Sequence, residues 1–261
     1  MAKAPSIRWV DHTIRRLGSQ VVVDSPYKVV QTADIGDSKI YLEEITNIYD
    51  LKAFSYEGVV YTVSTVTEAD NSITVTPVLE DEIGAGVRIS FIESGYARFA
   101  KGLKRLTGDV LEFTKLISVS KAWTVNHGGI FEIGGVEHFI IGMDLGYLST
   151  MLRIKEINCL VDIYSNKKIV PATPRFGAET VFTPIESEVP AFLQAFTSME
   201  MDRNIGVIPS TITIALIPNS IEIGLDYRIV TPTFTFKVVG LDPHAYKNMN
   251  LLTVTHDVSR R

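Results

Sequence analysis

A chain of 261 residues is long enough for two ordinary domains or one large all-β domain, and a hydrophobic content of 46% supports a substantial core. The formal net charge of −5 excludes the basic surface expected of a general nucleic-acid binder. The single cysteine, Cys159, excludes an intramolecular disulfide framework. No apolar run reaches the roughly 18 residues that span a bilayer, and no apolar signal region follows the N-terminus, so we expect folding in the cytoplasm and no membrane partner.

Residues 1–20 predict a short N-terminal helical arm. Apolar residues at positions 7, 10, 14 and 17 lie on one face of a helix, and Gly18 follows them as a stop signal. We therefore predict an amphipathic helix near residues 7–17.

Residues 21–97 predict a β-barrel-like module. Short apolar runs alternate with turn residues throughout this range, as in a small barrel or sandwich. The strand candidates are 21–23, 28–30, 39–42, 59–63, 73–76 and 87–91.

Residues 98–108 predict a basic connector. Arg98, Lys101, Lys104 and Arg105 form the most basic local cluster of the chain and are interleaved with apolar residues, which predicts a second short helix near 98–106. A solvated surface between modules is the simplest interpretation of this cluster, and contact with a protein neighbour or DNA is the alternative.

The rest of the chain predicts a second β region over 109–170 and a C-terminal β-barrel over 171–261, with two prolines near the boundary between them. Gly134-Gly135 predicts a hairpin turn. The strand candidates are 110–113, 122–125, 130–133, 136–141, 151–154, 180–185, 191–196, 211–217 and 221–223. The predicted fold class is therefore mainly all-β, with small β-barrel or β-sandwich modules and one or two short helices.

The C-terminal residues predict a β-hairpin with a long tip. The strands 234–239 and 251–255 flank a break at 240–243 and a polar loop at 244–250. The strand residues expected to lie largely inside the fold or against a sheet are Phe234, Phe236, Val238, Leu252 and Val254. The tip residues Tyr246, Lys247 and Asn248 are expected to project as an assembly interface.

Three segments resemble one another. They are 58–63, 135–140 and 233–238, and each precedes a loop and a further β run. This recurrence is compatible with tandem β modules, although it lacks the strict period of a solenoid.

No residue pattern predicts catalysis or metal binding. The five histidines lack metal-ligand spacing, and no serine has the glycine context of a nucleophile elbow. Neighbouring acids on a strand point to opposite faces, so Glu43-Glu44 does not form a carboxylate pair. We expect neither an enzyme nor a cofactor, and we expect Cys159 to be a small apolar residue.

Two segments resemble proteins of tailed-phage particles. The first segment is 28–91, in which residues 61–66, 72–79 and 83–87 resemble a β module common in phage virion proteins, with its Tyr-x-Val strand and Ile-Thr-Val-Thr-Pro strand. The second segment is 177–257, in which residues 182–191, 227–229 and 236–243 resemble head-closure and head–tail joining proteins, where a small barrel ends in a hairpin with Val-Asp-Pro-like residues. Head-closure proteins are usually shorter, and residues 98–170 resemble no family.

This resemblance implies a structural subunit of the phage head–tail connector or neck. Such a subunit would form a homo-oligomeric ring, sixfold or twelvefold, join the portal or adaptor to the tail terminator, and line the passage for DNA. The protein would be made in the host cytoplasm and reside in the virion. The alternatives are a tail-tube, tail-terminator or baseplate protein, or a glycan-binding or hydrolytic tail domain.

Overall fold

The computed structural model describes residues 7–99, 114–169, 179–195 and 212–257. The fold is mainly β, as predicted. The first part contains helix α1 (Ile7–Leu17), a 3₁₀ turn (Glu68–Asp70) and strands β1 (Ser19–Lys28), β2 (Lys39–Tyr41), β3 (Ala53–Tyr56), β4 (Val59–Thr67), β5 (Ser72–Thr76), β6 (Arg88–Phe99), β7 (Lys115–Ser120), β8 (Ile130–Ile133), β9 (Val136–Leu145) and β10 (Ser149–Glu156). The second part contains β11 (Cys159–Ile169), β12 (Glu179–Ala195), β13 (Ile212–Pro218), β14 (Arg228–Val230), β15 (Thr235–Tyr246) and β16 (Met249–His256).

The chain divides into two compact units, residues 1–156 and 157–261. Strand β11 pairs only with strands of the second unit, so the predicted region 109–170 contains strands of both units. The predicted modules 21–97 and 109–170 contribute strands to one sheet of the first unit. No helix in the described part of the chain has the length and apolarity to cross a membrane.

The two helix predictions have different outcomes. Helix α1 is confirmed at the predicted residues. The helix predicted over 98–106 is wrong at its start, because β6 continues through Arg98 and Phe99, which pair with β7. The remaining residues of that prediction lie outside the described residues.

The first unit contains two six-strand barrels that share one pair of strands. Barrel 1 consists of β2, β3, β4 and β5 with the end of β1 and the start of β6, and a bridge between Val29 and Leu42 closes it. Barrel 2 consists of β7, β8, β9 and β10 with the other halves of β1 and β6. Strands β1 and β6 pair antiparallel over ten residues, from Ser19 opposite Ala97 to Lys28 opposite Arg88.

Burial follows this division of the shared strands. Val21 and Val23 of β1 belong to the core of barrel 2, whereas Tyr27 belongs to that of barrel 1. On β6, Phe91 belongs to the core of barrel 1 and Ala97 to that of barrel 2. Each long strand therefore has inward-facing apolar residues for two separate cores.

The second unit is one closed six-strand barrel, barrel 3. Its strands follow the order β11-β12-β13-β16-β15-β14 around the ring. Its core includes Val161, Ile163, Ala215, Phe236 and Leu252, which are nearly or completely buried. The predicted C-terminal β-barrel is thus confirmed as a fold, with β11 as an additional strand.

All three barrels have the same strand topology. The ring of barrel 2 runs β1-β6-β7-β10-β9-β8, which is the order of barrel 3 with its strands renumbered. The ring of barrel 1 has this order when it is read from β6, as β6-β1-β2-β5-β4-β3. Barrel 1 is therefore a circular permutant of the same topology, inserted between the first two strands of barrel 2.

The three recurring segments occupy the same place in the three barrels. They contain the starts of β4, β9 and β15, each of which is the second strand of a hairpin. The central position of each segment is an inward-facing residue that is nearly or completely buried, namely Tyr61, His138 and Phe236. The predicted hairpin turn at Gly134-Gly135 is confirmed by the pairing of Ile133 with Val136.

One turn recurs five times in the described residues. Its third residue has a positive φ, and the five examples are Gly36, Leu51, Gly86, Gly128 and Asp226, with φ between 67° and 91°. The amide of the next residue donates to the carbonyl two residues before the positive-φ position, as from Val87 to Gly84 at 3.2 Å. This geometry is that of a type II turn, in which the third residue favours glycine.

The same turn is also fixed to a second segment of the chain in each case, by two backbone hydrogen bonds. The amide of Gly86 donates to the carbonyl of Val29, and the amide of Val29 donates to the carbonyl of Val87, both at 2.8 Å. Three residues before each positive-φ position lies a buried apolar side chain. These anchors are Ala33, Ile48, Ile83, Val125 and Ile223.

We expect Gly86→Ala to destabilise the first unit by about 1–2 kcal/mol, because an L-residue is disfavoured in the left-handed region. No atom lies within 4 Å of a Cβ built on Gly86, so this cost comes from the backbone alone. The matched control is Gly84→Ala, whose Cβ would meet a Val87 methyl at an ordinary 3.8 Å. Denaturant unfolding of the two variants measures the difference, and equal midpoints would contradict the assignment of the turn.

Candidate functional site

The predicted tip of the C-terminal hairpin is short. Strand β15 does not end at Gly240 but continues to Tyr246, with irregular register at two points, and it pairs there with Met249 of β16. Lys247 and Asn248 form the turn, and Asn248 has a φ of 62°. The predicted loop 244–250 is therefore wrong, because Gly240 and the residues after it are accommodated as strand irregularities.

The turn lies against the end of barrel 3. Met249 is fully buried and also pairs with Pro218 of β13, and the amide of Asn219 donates to the carbonyl of Asn248 at 3.1 Å. Lys247 is exposed, whereas Tyr246 and Asn248 are half-buried. A long projecting tip is thus absent from this end of β15 and β16, and Met249 belongs to the fold.

The inward-facing residues of this hairpin are mostly as predicted. Phe236, Val238, Leu252 and Val254 are buried. Phe234 lies before β15 and is 52% exposed, so it is not inside the barrel; its ring packs against those of the strand residues Phe236 and His256. The four-residue connection from β14 to β15 removes Phe234 from the strand alternation.

Only one residue of the predicted basic cluster is described. Arg98 is exposed near the end of β6, opposite Ser118 of β7. Lys101, Lys104 and Arg105 lie outside the described residues. Arg98 and the hairpin turn at Lys247 belong to different units, and each is a surface feature of its own unit.

A groove of about 450 Å³ lies beside α1 and β6 in the first unit. Its wall contains an ion pair in which Nζ of Lys52 lies 2.8 Å from Oε2 of Glu93. The other carboxylate oxygen of Glu93 accepts the amide hydrogen of Thr124 at 2.6 Å. Trp123, predicted as part of a strand, lies instead in the β7–β8 loop, where its ring covers Gly95. The polar groups of Glu93 are therefore used in holding three segments together.

A wider groove of about 700 Å³ is lined by the β2–β3 loop and by Lys121 and Leu145. The hydroxyl of Tyr49 donates to the carbonyl of Lys121 at 2.9 Å, which fixes this loop to the β7–β8 loop. Ile45 and Ile48 form an apolar floor, and three carboxylates line the rim. The lining residues contain no nucleophile paired with a base.

His138 is the one histidine in the described residues whose side chain is almost completely buried. Its Nε2 lies 3.1 Å from Nζ of Lys115, and its Nδ1 lies 3.1 Å from the carbonyl of Val136. A neutral ring fits both contacts, with Nδ1–H donating to the carbonyl and Nε2 accepting from the ammonium. Burial, and next the charge of Lys115, lower the pKa of His138.

We expect the stability of the first unit to fall as pH decreases from 7 toward 5. The folded-state pKa of His138 lies below its unfolded value of about 6.5, so the stability that neutral His138 contributes is fully present above pH 6.5. This stability is lost as pH falls through the folded-state pKa. His138→Phe places at this position the residue type found at Phe236 in barrel 3, and it should flatten the pH dependence in equilibrium unfolding. An unchanged slope in that variant would show that another group titrates.

The residues that sequence analysis associated with chemistry form no reactive constellation. Among the described residues, no group of three histidine, cysteine or acidic side chains is arranged to hold a metal ion. Cys159 is half-buried against the core of barrel 3, and burial raises the pKa of its thiol. The features that sequence analysis missed are the two grooves and the ion pair of Lys52 with Glu93. They depend on contacts between distant segments, for which no local pattern exists.

Comparison with known proteins does not assign the chain to a family. No protein-family model, curated protein or solved structure matches it. The barrel modules and their repeated topology are therefore the structural basis on which function is considered.

Proposed function

We propose that this chain is a ring-forming structural subunit of a tailed-phage particle, in the head–tail connector or neck. The observation that carries the proposal is that the two resembling segments coincide with barrels. Residues 28–91 include β2, β3, β4 and β5 of barrel 1, and residues 177–257 include five of the six strands of barrel 3. The resemblance implies a β module for the first segment and a small barrel for the second.

The distribution of charge is consistent with DNA as passing cargo. A net charge of −5 gives few opportunities to neutralise phosphates, so duplex affinity should be weak. In this proposal the cluster of Arg98, Lys101, Lys104 and Arg105 faces a protein neighbour, such as the portal, the adaptor or the tail terminator. Tight and steeply salt-dependent duplex binding that is lost when these four residues become alanine would contradict this assignment.

Negative-stain electron microscopy of the purified chain tests the proposal. Rings with sixfold or twelvefold symmetry are the expected result. Stacked tubes would favour a tail-tube, tail-terminator or baseplate role, which is the nearest alternative. A monomer that gives a signal on a glycan array would overturn the proposal in favour of a receptor-binding tail domain.

A further inference from the structure

The long strands β11 and β12 extend beyond barrel 3. Strand β11 pairs with β14 only at 162–164, and β12 pairs with β13 only at 192–195. Residues 165–169 pair with 179–183, and residues 184–186 lie opposite 163–164; among the described residues neither 165–169 nor 179–186 pairs with a third strand. We call these two segments the arm. A two-stranded sheet of this kind has little stability of its own in water.

The arm corresponds to half of the shared strand pair in the first unit. Val21 opposite Gly95 and Val161 opposite Val189 are equivalent positions in barrels 2 and 3. Six residues further along β1 and β11 lie Tyr27 and Lys167, whose partners are Ile89 and Val181; β12 has two more residues than β6 over this span because the β11–β12 register shifts twice. In the first unit this half of the pair belongs to barrel 1.

The four strands that complete barrel 1 around the shared pair have no counterpart among the described strands of the second unit. Strands β2, β3, β4 and β5 lie between β1 and β6, over residues 39–76, and they cover both edges of the shared pair. Only residues 170–178 lie between β11 and β12. The longest stretch outside the described residues, 196–211, is also too short for four such strands.

Side-chain exposure differs between the arm and the corresponding half of the β1–β6 pair. Ile89 is 1% exposed in the core of barrel 1, whereas Val181 at the equivalent position is 37% exposed. Ile185 of the arm is 40% exposed. Within the described residues, the arm therefore has two strand edges without a partner strand, together with exposed apolar side chains, where the first unit has a complete barrel. These are the features that another chain's strand can cover.

We infer that the arm is the contact between neighbouring copies of this chain, with the β11 edge of one copy paired to the β12 edge of the next. This inference rests on the proposed ring-forming role. The two strands differ in charge: β12 has Glu186 in the arm and Glu188 just beyond it, and β11 has Lys167 and Lys168 in the arm. Opposite charges across neighbouring strands are favourable, whereas pairing β12 with β12 would bring like charges together.

A contact between two different edges is heterologous. Repeating it from copy to copy generates a ring or a helical filament and not a closed dimer. Pro184 removes one backbone donor from the β12 strand. The inferred contact thus uses the remaining backbone groups of the arm.

Charge reversal in the full-length chain tests the inference. Two double variants are compared with the wild type by sedimentation velocity: Glu186→Lys with Glu188→Lys, and Lys167→Glu with Lys168→Glu. Each should raise the protein concentration needed for assembly at least tenfold. Combining all four substitutions should restore assembly, because the two edges again have opposite charges. Self-pairing of β12 would instead leave assembly sensitive to the glutamates alone, with no rescue by the lysine changes, and this result would overturn the inference.

Two further variants separate a loss of contact from a loss of fold. Ile185→Lys should abolish assembly while the far-UV spectrum and melting temperature stay near those of the wild type. Val60→Lys is the matched control, since Val60 is an exposed strand valine of barrel 1, 61% exposed, and it should leave assembly unchanged. Rings that persist in every arm variant would overturn the inference and leave the proposed function standing, whereas a monomeric wild-type chain would overturn both.

Discussion

Phe236→Ala is expected to lower the free energy of unfolding of the C-terminal unit by about 3–5 kcal/mol. The ring of Phe236 is 5% exposed and packs in the core of barrel 3, opposite Ile229 of β14 and His256 of β16. Its removal leaves a cavity in a barrel whose strands have few ways to close around it. Denaturant unfolding of the full chain, followed by circular dichroism, gives the measurement.

Phe234→Ala is the matched control for this variant. The two residues are of one type and lie two positions apart, but Phe234 is 52% exposed. Its ring still contacts His256, with 4.9 Å between ring centroids, so we expect a loss of about 1 kcal/mol. Equal losses in the two variants would show that Phe234 also lies inside the barrel.

The second large effect is expected for Phe91→Ala in the first unit, again about 3–5 kcal/mol. Phe91 is 1% exposed and lies between two aromatic rings of barrel 1, with centroid distances of 5.5 Å to Tyr27 and 5.4 Å to Phe54. Phe91 also lies opposite Phe54 where β6 pairs with β3. The substitution therefore removes core volume and weakens the closure of the barrel.

Ile92→Ala is the control on the same strand. Ile92 points outward and is 68% exposed, so the loss should be about 1 kcal/mol or less and reflects strand propensity. Thermal unfolding of both variants, monitored at one protein concentration, is sufficient. A larger loss for Ile92→Ala than for Phe91→Ala would contradict the inward assignment of Phe91.

Sequence analysis identified most strands because alternation and turn residues are local signals. The segments at 58–63 and 135–140 were recognised as similar, and they do occupy equivalent strands. The predicted strand 122–125 is wrong, since Val125 is the buried anchor of a recurring turn in a loop. A short apolar run has the same appearance in both settings.

The sharing of strands between barrels has no local signal. Alternation shows that β1 and β6 each have an inward face, but it does not show that the inward face serves two cores. The pairing of residues near 24 and 92 is a long-range contact, and its register depends on the whole unit. For the same reason, the arm of β11 and β12 is visible only when its pairing partners are known.

The strand pair of β1 and β6 also couples the unfolding of barrel 1 to that of barrel 2. Each strand runs from one core into the other without a break, so separating the pair exposes both interiors at once. Neither barrel can be produced as a separate fragment, because a fragment that contains one barrel takes the shared strands β1 and β6 from the other. The first unit should therefore unfold as one cooperative unit, with both cores lost together.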